Sequence, residues 1–114
     1  MGPALLSSGP SDAPAVLVLA HGAGASETSP FMEAIAEGLS SRGWLVHRFA
    51  FPYMRRTQET GRRCPPDRPQ VLQTCFRELV EQLAGDRPVF IGGKSMGGRI
   101  ASMLLNELSA TAAV

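Results

Sequence analysis

Apolar residues occur along this chain in two alternating styles, short unbroken runs and stripes at helical spacing. Ala15-Val16-Leu17-Val18-Leu19-Ala20 is an unbroken run rich in Val and Leu, the pattern of a strand buried on both faces of a parallel sheet. Phe31, Ile35 and Leu39 then recur every four residues behind Ser29 as N-cap and Pro30 at the first helical position, with Gly43 as the stop, so a helix is predicted there. Trp44 to Phe49 reads as a second strand of imperfect alternation, and strand, helix and strand in succession imply a right-handed crossover between parallel strands. Val71, Leu72, Cys75, Phe76, Leu79, Val80 and Leu83 fall at three- and four-residue intervals between Asp67, a candidate N-cap, and Gly85, which predicts a further helix. Pro88-Val89-Phe90-Ile91 is a third apolar run, followed by Ile100, Met103, Leu104 and Leu108 at helical spacing, so a strand turns into a helix that runs to about Leu108. Residues 109–114 read as a loop with Ala112-Ala113-Val114 starting another strand.

Two stretches lack either pattern. Residues 1–14 are rich in Gly, Pro, Ser and Ala and are expected to form a flexible head or at most one short edge strand. Phe51 to Pro69 is a long connection with Arg55, Arg56, Arg62, Arg63 and Arg68 set against Glu59 and Asp67. A connection of that length in a compact domain is usually functional or disordered. It reads either as a positively charged rim for a substrate carboxylate or phosphate, or as a solvated surface loop.

The 114 residues allow one domain at most. A net charge of +1 gives no reason to expect nucleic acid or an acidic membrane as partner. All eleven basic residues lie between Arg42 and Arg99, so no cation precedes the first apolar run as a signal peptide requires. That run is also too short to span a bilayer, and a cytoplasmic protein is expected. Cys64 and Cys75 have no metal-binding spacing, and no metal or other cofactor is expected.

The chemistry concentrates at Gly93-Lys94-Ser95-Met96-Gly97. This fits G-x-S-x-G, in which small flanking residues let a strand turn into a helix so sharply that the serine hydroxyl projects as a nucleophile. The helix that follows aims its first backbone N–H groups at the same place, where they can stabilise an oxyanion. Two rival motifs fail. A phosphate-binding loop ending at Gly93-Lys94-Ser95 would need glycine at position 88, which is Pro, and a dinucleotide fingerprint beginning at Gly22-Ala23-Gly24 would need glycine where Glu27 stands. His21-Gly22-Ala23-Gly24 nevertheless closes the first strand with small residues, at the carboxyl end where ligands bind in open α/β sheets.

His21-Gly22-Ala23-Gly24, Ser29-Pro30-Phe31-Met32, Phe51-Pro52-Tyr53-Met54, the Arg-rich run through Cys64-Pro65-Pro66-Asp67-Arg68, and Gly92 to Arg99 together resemble the small α/β-hydrolases related to dienelactone hydrolase. Within that group the chain is most similar to bacterial hydrolases that share a domain with a testis-expressed protein and a non-specific-lethal chromatin-complex subunit. The resemblance implies a three-layer α/β-hydrolase sandwich, here its N-terminal half in residues 15–114, with three parallel strands in spatial order second, first, third and three helices. It implies Ser95 as nucleophile, Met96 N–H as one oxyanion donor, and Ala23 or Gly24 N–H as the second. His21, Gly22, Gly93, Gly97 and Gly98 take supporting places.

In this fold the triad runs serine, acid, histidine in chain order. No histidine follows Ser95, and the one acid after it is Glu107, expected on the outer face of the last helix. His21 holds a position that supports the oxyanion loop in the resembling family, and His47 has no acidic neighbour in sequence. Two functions are therefore expected in parallel. One is a serine hydrolase acting on small-molecule esters, thioesters or lactones, with acid and base beyond Val114. The other is a non-catalytic, truncated hydrolase-like interaction module. Either way, half a sheet would leave an unpaired edge prone to self-association.

Overall fold

A computed structural model describes residues 5–105 and 107. It contains strands β1 (Leu5–Ser8), β2 (Val16–Ala20), β3 (Leu45–Phe49) and β4 (Val89–Gly93), and helices α1 (Pro30–Ser40), α2 (Pro52–Thr60), α3 (Pro69–Leu83) and α4 (Met96–Leu104). The sheet order is β1-β3-β2-β4. The β2–β3 and β2–β4 pairs are parallel, with Val18 opposite both His47 and Ile91. The three expected parallel strands thus stand in the expected order second, first, third. All five residues of β2 are buried, because its neighbours cover both edges and helices cover both faces.

Among the described residues the three expected parallel strands and three helices are joined by one antiparallel strand and one further helix. Leu5–Ser8 takes the edge-strand alternative, pairing antiparallel with β3 through Leu5–Phe49 and Ser8–Val46. The connection after Phe51 holds helix α2. Pro52 fills its first position and Gly61, at φ 72°, ends it by donating its N–H to Thr57 O, the usual pairing of Pro at the start with Gly at the stop. Its apolar stripe is one turn long, with Tyr53 and Met54 as its buried residues. Helix α3 begins at Pro69 behind Arg68, so Asp67 is not its N-cap. Helix α4 ends at Leu104, and the expectations for Leu108 and residues 109–114 lie outside the described residues.

Alternation of side chains along the strands divides the core in two. Val16, Val18, Ala20, Leu45, Phe49, Val89 and Ile91 face α2, α3 and α4, where they meet Phe51, Tyr53, Leu72, Phe76, Leu79, Ile100 and Leu104. Leu17, Leu19 and Val46 face the opposite way, against Met32 and Ala36 of α1. Among the described residues α1 is the helix on that second face, and Phe90 of β4 meets Trp44 there edge-on, ring centroids 5.1 Å apart. Met103 and Val71, read as core positions from spacing, are 47% and 42% exposed. Because β2, β3 and β4 are parallel and each precedes a helix, the loops that follow them share one end of the sheet, where ligands bind in such folds.

Candidate active site at the strand-to-helix elbow

Ser95 stands at that end, between β4 and α4, with φ 54° and ψ −113°. Among the described residues no other non-glycine residue has positive φ. Such a backbone costs of order 1–3 kcal/mol, and the packing around it enforces the bend. A Cβ added to Gly97 would lie 2.5 Å from both Ala20 O and His21 O, and one added to Gly93 would lie 2.5 Å from Gly97 C. Only hydrogen at these two positions lets α4 start directly against the ends of β2 and β4. Gly98 packs the same way, on Gly93 O. The turn is closed by Lys94 N–H to Ala20 O at 3.1 Å, Gly97 N–H to Lys94 O at 3.0 Å and Arg99 N–H to Ser95 O at 3.0 Å. Ser95 is exposed. As the first residue of α4, Met96 has no intrahelical acceptor for its N–H.

The loop after β2 reaches the same point. Gly22 is buried, and a Cβ on it would sit 3.7 Å from Ser95 Cβ and 3.2 Å from Lys94 O. Ala23 and Gly24 are exposed, and the space around Gly24 is open within 4 Å. Neither of their N–H groups has a protein acceptor among the described residues. The predicted site residues Ser95, Met96, Gly93, Gly97 and Gly98 lie at the elbow and His21, Gly22, Ala23 and Gly24 on the loop after β2, which touches the elbow at Gly22.

His21 is fully buried, and both ring nitrogens are engaged. Nδ1 lies 2.6 Å from Gly22 O and Nε2 accepts the Phe51 N–H at 3.0 Å. A carbonyl only accepts and an amide only donates, so the ring is neutral with its proton on Nδ1. Burial pushes the imidazole below its ordinary range, against weaker opposite pulls from the Gly22 carbonyl and Glu27. His21 is thus a tie between the loop and the start of α2, with no lone pair left for Ser95. His47 pairs in register with Val18, mid-strand, and its Nδ1 meets Ser7 Oγ at 2.8 Å. Neither histidine is placed to take a proton from Ser95. Glu107 lies beyond the end of α4 rather than on its outer face, and pairs with Arg77 at 2.7 Å.

Two residues of this end escaped the reading of the sequence. The buried Tyr53 hydroxyl shares its one proton between Ala23 O at 3.0 Å and Gly22 O at 3.2 Å. Burial, with the charge of Asp67 adding, pushes its phenol up to about 12, so it remains a donor at neutral pH. Asp67 accepts the Tyr53 N–H at 2.8 Å and binds Arg56 at 2.8 Å, which makes it the cap of α2. The signal for Tyr53 was the Phe51-Pro52-Tyr53-Met54 block itself, with an aromatic at the second position of a Pro-started helix. Of the basic residues in the former loop, Arg56 is tied to Asp67, while Arg62, Arg63 and Arg68 are exposed. Lys94 Nζ stands 4.9 Å from the centre of the Phe31 ring at the head of α1.

No helix among the described residues is long and apolar enough to cross a membrane. No group of three His, Cys, Asp or Glu side chains among them could hold a metal ion.

Solved structures similar to this one share its fold. Dienelactone hydrolase from Anabaena variabilis superposes with a TM-score of 0.76 at 22% identity, over 95% of this chain and 53% of its own. A carboxyl esterase from Bacillus coagulans gives 0.69 at 18% identity, over 96% and 37%. A protein of Thermus thermophilus gives 0.64 at 27% identity, over 92% and 48%. This chain accordingly spans about half the length of the first of these structures and less of the others. No curated protein sequence matches it. The family model described as an alpha/beta hydrolase domain matches residues 13–114, and with the elbow and the parallel strand order on view, the chain belongs to the α/β-hydrolase domain family.

Proposed function

We propose that this chain carries the nucleophile and the oxyanion site of a serine hydrolase that cleaves carboxylic esters, thioesters or lactones through an acyl-enzyme. The observation that carries the reading is the strained, exposed Ser95 at the head of α4, beside a loop whose Ala23 and Gly24 N–H groups have no protein acceptor among the described residues. In the proposed reaction the Ser95 hydroxyl attacks the acyl carbonyl. The negative oxygen that develops is held by Met96 N–H and by Ala23 or Gly24 N–H, preorganised donors of the kind that contribute most to such catalysis. Collapse of the tetrahedral species expels the alcohol or thiol, and water then releases the acid.

Unassisted serine is a weak nucleophile that an adjacent base must activate. Since His21 and His47 are both committed elsewhere, neither is the base that takes the Ser95 proton in this reaction. The decisive experiment is covalent: a fluorophosphonate modifies Ser95 and leaves Ser95→Ala unmodified. Absence of any Ser95 adduct under base-supplied conditions contradicts the reading.

The engaged histidines also favour a second reading, in which the chain alone is a hydrolase-like interaction module. Among the described residues β4 is paired on one side only, and its free edge is then the surface through which a further strand, or a second copy, adds.

A further inference from the structure

We propose that Tyr53 is the positioning residue of the oxyanion loop: by holding the carbonyls of Gly22 and Ala23 toward α2, its hydroxyl turns the Ala23 and Gly24 N–H groups toward Ser95. The proposal rests on the reading of Ser95 as nucleophile. It begins from the sheet order, in which β2 lies between β3 and β4. Helix α2 follows β3, so Tyr53 approaches the end of β2 from one side, and Ser95 follows β4, so it stands on the other. In a trans peptide unit the carbonyl and the N–H of the next residue point in opposite directions, and no cis bond occurs among the described residues. Carbonyls drawn toward Tyr53 at 3.2 and 3.0 Å therefore send the N–H groups of Ala23 and Gly24 away from α2, to the β4 side.

The clamp is itself held firmly. Tyr53 is 1% exposed, its N–H is fixed by Asp67, and its ring meets that of His21 at 5.8 Å in an edge-on arrangement. Gly22 O has a second donor in His21 Nδ1. Ala23 O has no other donor among the described residues, so the orientation of the peptide unit that carries the Gly24 N–H depends on Tyr53 most.

The test is Tyr53→Phe in the 114-residue chain, read by residual dipolar couplings of backbone N–H vectors and by binding of phenylboronic acid, which forms a tetrahedral anionic adduct on a serine oxygen. Thr57→Val is the control, since the Thr57 hydroxyl bonds the Tyr53 carbonyl within α2 and touches neither loop carbonyl. In Tyr53→Phe the Ala23 and Gly24 couplings shrink toward zero while that of Met96 keeps its value, and boronate affinity falls about tenfold to a hundredfold, short of the full loss of one oxyanion donor. Thr57→Val leaves the loop couplings and the affinity at wild-type values. Unchanged Ala23 and Gly24 couplings in Tyr53→Phe overturn the proposal, as does unchanged boronate affinity where the wild type binds. If the wild type takes up no boronate even with imidazole supplied as base, the nucleophile reading of Ser95 fails, and the couplings still decide whether Tyr53 orients the loop.

Discussion

At Ser95 the chain accepts a backbone conformation that an L-residue avoids, and the surrounding contacts show how it is sustained. Gly97 meets two backbone carbonyls where a methyl group would have to go, and backbone cannot move aside as a flexible side chain can. Gly97→Ala should therefore destabilise the fold by about 1–3 kcal/mol, as overpacking does. Gly24→Ala, with open space around it, should leave urea unfolding nearly unchanged; equal losses in both variants would contradict this account of the elbow. His21 makes a second residue-scale prediction through pH. Its folded-state affinity for protons is lowered from the ordinary value of 6.5 by burial, so the unfolded chain binds more protons and stability falls as pH drops below that value toward the folded one. Protonated Nε2 can no longer accept from Phe51 N–H. His47 is lowered too, by burial and then by Arg87, so the two must be separated. The melting temperature measured from pH 7 downward should decline less steeply in His21→Gln than in wild type, with His47→Gln removing an independent share.

Among the elements, the ones legible in the sequence were those whose burial writes a pattern. Strand β2 is apolar at every position because both its faces are covered, and α3 shows its stripe over fifteen residues. Helix α2 wrote no such pattern, since beyond Tyr53 and Met54 it runs through polar residues from Arg55 to Thr60; only Pro52 and Gly61 marked its ends. What secures it comes from far along the chain, with Asp67 acting on Tyr53 across 14 residues and Tyr53 on Ala23 across 30. Contacts at such separations leave no local periodicity, which is why the elbow could be read from five adjacent residues while the Tyr53 contacts to the loop after β2 could not. Strand β1 was equally faint, its Leu5-Leu6-Ser7-Ser8 alternating in neither style. The role of Asp67 is measurable: Asp67→Ala removes the cap of α2 and should cost about 0.5–2 kcal/mol in urea unfolding. Asp67→Asn, which keeps an acceptor for the Tyr53 N–H, should lose less. An Asp67→Ala variant as stable as wild type would show that α2 holds without its cap.

For the molecule as a whole, the described residues place an exposed serine and the Ala23 and Gly24 N–H groups, which have no protein acceptor among those residues, at one end of a sheet, and commit both histidines to other bonds. On the proposed reading, what attacks and what stabilises are legible in the motif around Ser95, and what removes the proton is not, because neither histidine is free to do so. A base supplied from solution should take its place. The most direct measurement is intact-mass and peptide mapping of the 114-residue chain and Ser95→Ala after treatment with a fluorophosphonate, over a series of imidazole concentrations at fixed pH. The account predicts a single adduct on Ser95 whose rate of formation rises with imidazole, and no such adduct in Ser95→Ala. Failure of Ser95 to react at any imidazole concentration, or equal labelling of both chains at another residue, would contradict it.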